Sequence, residues 1–189
     1  MSTATKGNEF VLYLSGTITP SSIQNVRMRF NNMLTFDDEY FMRKALRQAE
    51  IAFAAGEVPV GAVAVKDDCV IASAANQVEL LHDATAHAEM LVITAAANAL
   101  NDWRLDEVDI YVTKEPCAMC AGAMVNSHVR RVIYGMPDPR SGACGSALDV
   151  SGFKGMLWNV EVKPNILELE CRDIIQRFFK QIRDKKIDA

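Results

Sequence analysis

The chain has 189 residues, half of them hydrophobic and 23% charged, a composition ordinary for a soluble globular domain with a core of its own. No apolar run approaches the roughly 18 residues that cross a bilayer, so no membrane segment is expected. The net charge of −4 excludes a basic field over the whole molecule. A polyanionic partner would therefore have to bind a local basic patch.

The first 34 residues differ in composition from the rest. They are rich in serine and threonine, and their apolar stretch at 10–14 is too short for the core of a signal peptide. We interpret residues 1–34 as a non-essential or disordered leader, with Met28 or Met33 as the working translation start, and residues 35–189 as the folded domain. A targeting segment and a small accessory element are the alternatives, and N-terminal sequencing of the natural protein distinguishes them.

From Thr35 the hydrophobic pattern becomes regular. Thr35 is the predicted N-cap of a first helix with acidic residues in its first turn, and Gly56 ends that helix. Two strands, 58–65 and 69–75, follow as a tight hairpin. The remaining predicted elements are a helix over 86–100, a strand over 109–113, a helix over 117–126, strands over 131–135 and 160–162, and a helix over 166–186. Helices that alternate with strands around one sheet indicate an α/β fold.

Two short motifs lie where helices are predicted to begin. His87 and Glu89 open one helix, and Cys117 and Cys120 open another directly after Pro116. A helix N-terminus favours thiolate over thiol, and cysteines three apart share a helix face and can chelate one ion. One histidine and two cysteines leave a fourth zinc position open, which is the arrangement that activates water. The motifs therefore predict a catalytic zinc site and a hydrolytic reaction.

Each part of this motif pair has a competing interpretation. Glu89 is favoured as a general acid/base, but it could be a fourth ligand or only a helix N-terminal charge. A Cys-x-x-Cys pair alone is equally typical of structural zinc or redox sites. For structural zinc Cys144 and His128 are available, although neither has a usual ligand spacing, and His82 is interpreted as a loop residue.

The five cysteines argue against a disulfide framework, because their number is odd and no good secretory signal precedes them. Three of them are predicted to be small buried residues: Cys69, Cys144 and Cys171. A reducing compartment suits both these residues and a metal-binding pair, so a cytoplasmic location is expected.

Together, His-x-Glu and Pro-Cys-x-x-Cys form the signature of zinc-dependent nucleobase deaminases. From about residue 35 to residue 186 the chain resembles the bacterial tRNA-specific adenosine deaminase family. The resemblance rests on the segments Glu57–Ala62, Asn76, Asp83–Glu89, Tyr111–Met124 and Tyr134–Ser146. It implies a three-layer α/β/α cytidine-deaminase-like fold with a central mixed sheet of about five strands, a homodimer, and one Zn²⁺ per subunit. The implied reaction is hydrolytic deamination of the wobble adenosine of a tRNA to inosine.

The resemblance also assigns roles by position. The implied zinc ligands are His87, Cys117 and Cys120, and the implied proton shuttle is Glu89. For the flipped nucleoside, the implied contacts are Asn76 and Val60. For the flanking nucleotides they are Asp138 and Arg140, and for the anticodon stem-loop they are Phe178, Phe179 and Arg183.

Several of these assignments have a structural alternative. Val60 lies in an apolar strand and fits the core equally well. Phe178 and Phe179 are adjacent on a helix, so one is expected to face the core and the other to be free to stack on a base.

Basic residues suggest where phosphates could bind. Residues 172–189 carry six basic and three acidic side chains, a local excess of three. Such a run is usually a solvated helix face, but it is the first candidate for contacting phosphates, and Arg130 and Arg131 are the next.

The chain departs from the family pattern near both motifs. Ala84 stands where proline is usual, which is expected to loosen that turn. His128 stands where arginine is common, and Asn126 where some members have histidine, and these changes are expected to affect RNA contacts.

Two other functions compete with the favoured one. A small-molecule deaminase acting on guanine, cytosine or a nucleotide would share both motifs, but Asn76, residues 121–123 and the basic last helix favour tRNA. A zinc-bearing RNA-binding module without chemistry would have no need of Glu89.

Overall fold

The computed structural model describes residues 37–187, with side chains through residue 185. The proposed leader lies outside the described residues, so the structure does not test that prediction. Among the described residues, no helix is both long and apolar enough to cross a membrane.

A five-stranded mixed sheet forms the middle of the described structure, in the order β2-β1-β3-β4-β5. Strand β1 pairs antiparallel with β2 and β3, whereas β3, β4 and β5 run parallel. The strands are β1 (Gly61–Lys66), β2 (Cys69–Ala75), β3 (Asp109–Lys114), β4 (Arg131–Met136) and β5 (Glu161–Lys163). The helices are α1 (Asp38–Ala54), α2 (Val78–Leu81), α3 (Ala88–Leu100), α4 (Ala118–Asn126) and α5 (Glu168–Ile187).

Alternate residues of the central strands point into two different hydrophobic clusters, as the period of a strand requires. Ala62, Ile110 and Val132 belong to the cluster that includes the buried faces of α3 and α4. Val63, Tyr111 and Ile133 belong to the cluster that α1 and Cys171 of α5 share. The sheet is therefore covered on both sides, which gives the predicted three-layer α/β/α arrangement with five strands.

The structure moves several predicted element boundaries. The first helix has Asp37 as its N-cap rather than Thr35: the Asp37 carboxylate accepts a hydrogen bond of 2.8 Å from the backbone N–H of Tyr40. Strand β1 begins at Gly61 rather than at residue 58. Helix α5 begins at Glu168 rather than at residue 166, because Leu167 has a left-handed backbone with φ of 54°.

Cysteine burial follows the prediction at two of three positions. Cys144 and Cys171 are buried, and burial raises the pKa of each thiol to about 12. Cys69 is exposed, so the prediction for that residue was wrong. It opens β2, an edge strand of the sheet, directly after the hairpin turn.

Candidate metal centre and catalytic cleft

The N-termini of α3 and α4 bring the two sequence motifs together. His87 is the N-cap of α3 and Cys117 is the N-cap of α4, one position before the helices rather than inside them as predicted. Each N-cap has an extended backbone, and neither side chain forms a capping hydrogen bond. Both side chains are thus available as ligands, and Cys120 lies one helical turn after Cys117.

The three donor atoms have the spacing of a tetrahedral zinc site. The Sγ atoms of Cys117 and Cys120 are 3.7 Å apart, and Nδ1 of His87 lies 3.8 Å and 3.5 Å from them. Tetrahedral zinc, with bonds of about 2.3 Å to sulfur and about 2.0 Å to nitrogen, separates two sulfurs by about 3.8 Å and sulfur from nitrogen by about 3.5 Å. The residues present therefore fit a zinc ion.

Other candidate ligands do not join this group. Within the part of the chain that the structure describes, one group of three metal-binding donor atoms lies within 4.8 Å of one another, and it is formed by His87, Cys117 and Cys120. Cys144, His128 and Glu89 lie outside that set, which argues against a closed structural site.

Hydrogen bonding prepares one thiol for metal binding. Bonds from Cys120 and then His87 lower the pKa of Cys117 to about 3, and the bond with Cys117 raises the pKa of His87. The same bond raises the pKa of Cys120, because that thiol is the donor in the pair. Without metal, the pair thus holds one thiolate and one thiol, and a divalent ion would displace the remaining proton.

Glu89 lies beside the metal ligands in the first turn of α3. Its side chain is 4% exposed, and burial raises its pKa, while the positive charge of His87 opposes that shift. It also lies within hydrogen-bonding reach of the Cys120 thiol. A buried carboxyl whose protonated form is accessible suits an acid that gives a proton and a base that takes one.

A cleft of about 290 Å³ leads to this centre. Its walls include His87, Glu89, Cys117, Val60 and Asn76. Val60 is buried and also lines the cleft, so both interpretations of this residue describe it. The cleft is close to the lower end of the usual range for ligand pockets, about 300–1,000 Å³.

Comparison with known proteins identifies the family. Residues 36–183 match the family model of MafB19-like deaminases. The tRNA-specific adenosine deaminase of Bacillus subtilis (strain 168) is 43% identical over 149 residues, which cover 79% of this chain and 92% of that protein. The chain belongs to the tRNA-specific adenosine deaminase family.

Solved structures agree with this assignment. One, from studies of A-to-I editing by tRNA:A34 deaminases at the wobble position of transfer RNA, is 41% identical with a TM-score of 0.69, and the match covers 71% of this chain and 98% of that one. The guanine deaminase of Bacillus subtilis is 36% identical with a TM-score of 0.52, over 54% of this chain and 66% of that one. The fold is therefore cytidine-deaminase-like, as the sequence predicted.

In this member of the tRNA-specific adenosine deaminase family, the loop of Asp138 borders the cleft. Burial alone would raise the pKa of the Asp138 carboxyl, but hydrogen bonds from Lys114 and Ser141 outweigh burial and hold the pKa well below its usual range. Lys114 Nζ and Ser141 Oγ each lie 2.5 Å from the same carboxylate oxygen. Lys114 and Ser141 also line the cleft, and the sequence analysis missed both.

Glu115, which the sequence analysis treated only as part of a motif, anchors this loop from inside. Its carboxylate is fully buried and accepts backbone N–H bonds from Asp138 at 2.8 Å, Cys144 at 3.1 Å and Ser146 at 3.0 Å. A charged residue next to Pro116 was the only signal in the sequence, and its long-range partners could not be read from spacing.

A second, larger cleft of about 780 Å³ separates this loop from α5. Arg140, Phe179, Lys180 and Arg183 line it. Phe179 is 42% exposed, whereas Phe178 is 6% exposed and packs against Phe53, so one phenylalanine faces the core and the other solvent, as predicted. Phe178 therefore supports α5 from inside, and its assignment as an RNA contact stays a prediction.

Arg130 and Arg131 are not a free phosphate site. Both guanidinium groups bond to the carboxylate of Asp109, at 2.8 Å and 2.6 Å, and Arg131 also approaches Asp38. These arginines lie at the start of β4, whereas Cys117 follows the end of β3, which runs parallel to β4. The pair thus stabilises the end of the sheet opposite the cleft.

The structure shows what surrounds Ala84 and His128, the residues that depart from the family pattern. The turn at Ala84 is closed by Asp83, whose carboxylate accepts bonds of 2.8 Å and 2.7 Å from the backbone N–H and hydroxyl of Thr85. His128 stacks on Trp158, with ring centroids 4.6 Å apart, beyond the end of α4 remote from Cys117.

Proposed function

We propose that this protein is a zinc-dependent deaminase that converts the wobble adenosine of a tRNA to inosine. The observation that carries the proposal is the tetrahedral donor set of His87, Cys117 and Cys120 at the base of a cleft, with the buried Glu89 beside it. The family assignment supports adenosine in tRNA as the substrate.

In the reaction, water and adenosine give inosine and ammonia. His87, Cys117 and Cys120 would hold the zinc ion, which when bound would supply an activated water for the attack. Glu89 takes a proton from the attacking water as its oxygen bonds to the purine carbon that carries the amine. Glu89 then donates the proton to the departing amine as the carbon–nitrogen bond breaks.

The cleft also explains why a loop would be the preferred substrate. Glu89 and Asn76 line the cleft and are buried, so the target base must leave its stack to reach them. An unpaired anticodon loop meets that requirement at a lower free-energy cost than a duplex. The cleft lined by Arg140, Lys180 and Arg183 offers cations for the flanking phosphates, with Phe179 free to stack on a base.

Assembly and location follow from the same proposal. A homodimer is implied by the family resemblance, and sedimentation velocity of the purified protein tests it. A cytoplasmic location suits a tRNA substrate and a pair of thiolate ligands that must stay reduced.

A small-molecule deaminase is the second candidate, favoured by the likeness to guanine deaminase and by a cleft large enough for a single base. The two functions are separated by incubating the zinc-loaded protein with a tRNA bearing wobble adenosine and, in parallel, with guanine, cytidine and adenosine. Inosine in the tRNA alone supports the proposal. Ammonia from a free base alone contradicts it.

The role of Glu89 has its own test. Glu89→Gln is expected to keep bound zinc and RNA affinity while lowering kcat by about 10²–10⁴-fold, the usual contribution of a general acid/base. Glu50→Gln, on the exposed side of α1, is the matched control and should keep full activity. Full activity of Glu89→Gln would contradict the mechanism.

A further inference from the structure

We propose that Glu57 is a positioning residue that fixes the orientation of the Asn76 amide in the catalytic cleft. The inference rests on the proposed function only in assigning Asn76 to substrate binding. Neither the signature motifs nor the metal centre includes Glu57, yet its side chain lines the same cleft as Asn76 and Glu89.

The carboxylate of Glu57 is 1% exposed and is surrounded by hydrogen-bond donors. It accepts bonds from Nδ2 of Asn76 at 3.2 Å, from the backbone N–H of Glu79 at 3.2 Å and from that of Leu80 at 2.7 Å. An ionised carboxylate only accepts, so it matches three donors. A buried charge with this set of partners is stable only while all of them stay in place.

This partner decides which way the Asn76 amide faces. Turning the amide would place its carbonyl oxygen against the Glu57 carboxylate, and two acceptors would then meet in a buried site. Nδ2 is thus held on Glu57, and Oδ1 is kept for a donor group of the bound nucleoside. The backbone of Asn76 is held as well, because its N–H bonds to the carbonyl of Val60 at 2.9 Å.

The carboxylate of Glu57 also hydrogen-bonds to a helix in the wall of the cleft. Glu79 belongs to α2 and lines the cleft, and its N–H bonds to Glu57. The backbone N–H of Gln77 bonds to the carbonyl of Ala86, the residue before His87, at 3.1 Å. Glu57 therefore holds Asn76 and α2 in a fixed relation to the metal-binding turn.

A double-mutant cycle on kcat/KM tests the proposal. In Glu57→Gln the new NH₂ group faces donors, and the orientation of Asn76 is lost, so kcat/KM should fall by about 10–100-fold, equivalent to about 1.4–2.7 kcal/mol. Asn76→Ala should fall by at least as much. If Glu57 acts through Asn76, the double variant should match Asn76→Ala within about twofold.

Glu115→Gln is the matched control, because it changes another buried carboxylate that accepts three backbone N–H bonds without contacting Asn76. Its effect should multiply with that of Asn76→Ala. The proposal would be overturned if the effects of Glu57→Gln and Asn76→Ala on kcat/KM multiplied. It would also be overturned if Glu57→Gln lowered the Tm and left kcat/KM unchanged, which is the result of a purely structural role.

A swapped pair keeps the test decisive if Glu57→Gln folds poorly. In the double variant Glu57→Gln with Asn76→Asp, the new glutamine amide can donate to the new carboxylate while its oxygen accepts from Leu80, and only the N–H of Glu79 loses its acceptor. The swapped pair should recover at least tenfold in kcat/KM over either single variant, and no recovery would overturn the proposal. The cycle uses whichever substrate the wild-type protein deaminates, so its outcome is independent of whether that substrate is tRNA.

Discussion

Replacement of Gly142 by alanine should damage the cleft through Glu115. A Cβ at this position would lie 2.3 Å from Oε2 of Glu115 and 2.7 Å from the carbonyl oxygen of Asp138. The carboxylate would have to retreat by about 1 Å to reach ordinary contact distance, and its 2.8 Å bond to the N–H of Asp138 would break.

The expected cost of this change follows from that lost bond. A hydrogen bond to a charged group contributes about 1.5–3 kcal/mol, and overpacking adds to this, so Gly142→Ala should lower the free energy of unfolding by about 2–4 kcal/mol. For a chain of this length the Tm should fall by about 5–15 °C. Displacement of the loop that carries Ser141 should also raise KM several-fold.

Thermal melts and steady-state kinetics of the zinc-loaded protein measure both effects. Gly122→Ala is the matched control: its Cβ would meet nothing within 4 Å, and alanine in a helix is favoured over glycine by about 0.5–1 kcal/mol. Gly122→Ala should thus raise the Tm slightly. A Gly142→Ala protein with wild-type Tm and KM would refute the role assigned to Glu115.

Three further outcomes are expected. Gly61→Ala should destabilise the protein by about 1–3 kcal/mol or more in urea melts, because its Cβ would lie 2.2 Å from a carbonyl oxygen of α1; wild-type stability would contradict this packing. In metal-free protein at pH 6, Cys117 should be alkylated before the exposed Cys69, because the pKa of Cys117 is lowered to about 3. Zinc should protect Cys117, and mass spectrometry of the labelled peptides measures both effects. Lys114→Met should lower stability at pH 7, because Lys114 helps to hold the pKa of Asp138 in the folded protein below its unfolded value. That stabilisation is present above about pH 4 and is lost on further acidification. In thermal melts from pH 7 to pH 3, the difference in stability between the variant and wild type should therefore shrink below pH 4.

The cluster of candidate metal ligands could be predicted from the sequence because local backbone structure determines their placement. His87 and Cys117 each precede a helix with a strong hydrophobic pattern, and a helix start fixes the direction of the first side chains. Errors of two residues and one residue in the two predicted helix starts changed neither candidate ligand. Cys120 followed from helical spacing alone.

Long-range pairing could not be predicted in the same way. Arg130 and Arg131 looked like a basic patch in the sequence, but the parallel register of β3 and β4 places Asp109 beside Arg131. The pairing of Glu57 with Asn76 depends on how the chain returns along the hairpin of β1 and β2. A sequence pattern reports the types of residue, whereas the sheet register decides which charges neutralise one another.

Four glutamates line the cleft, and the hydrogen-bond partners of the three buried ones separate their roles. Glu57 and Glu115 each accept bonds from three donors that belong to other residues, so each carboxylate holds a neighbouring segment of the cleft wall in place. Glu89 is buried beside the candidate metal ligands, and burial raises its pKa. Its carboxylate accepts a backbone hydrogen bond from its own N–H. It can therefore change protonation without releasing a neighbouring segment, which is what a proton shuttle requires.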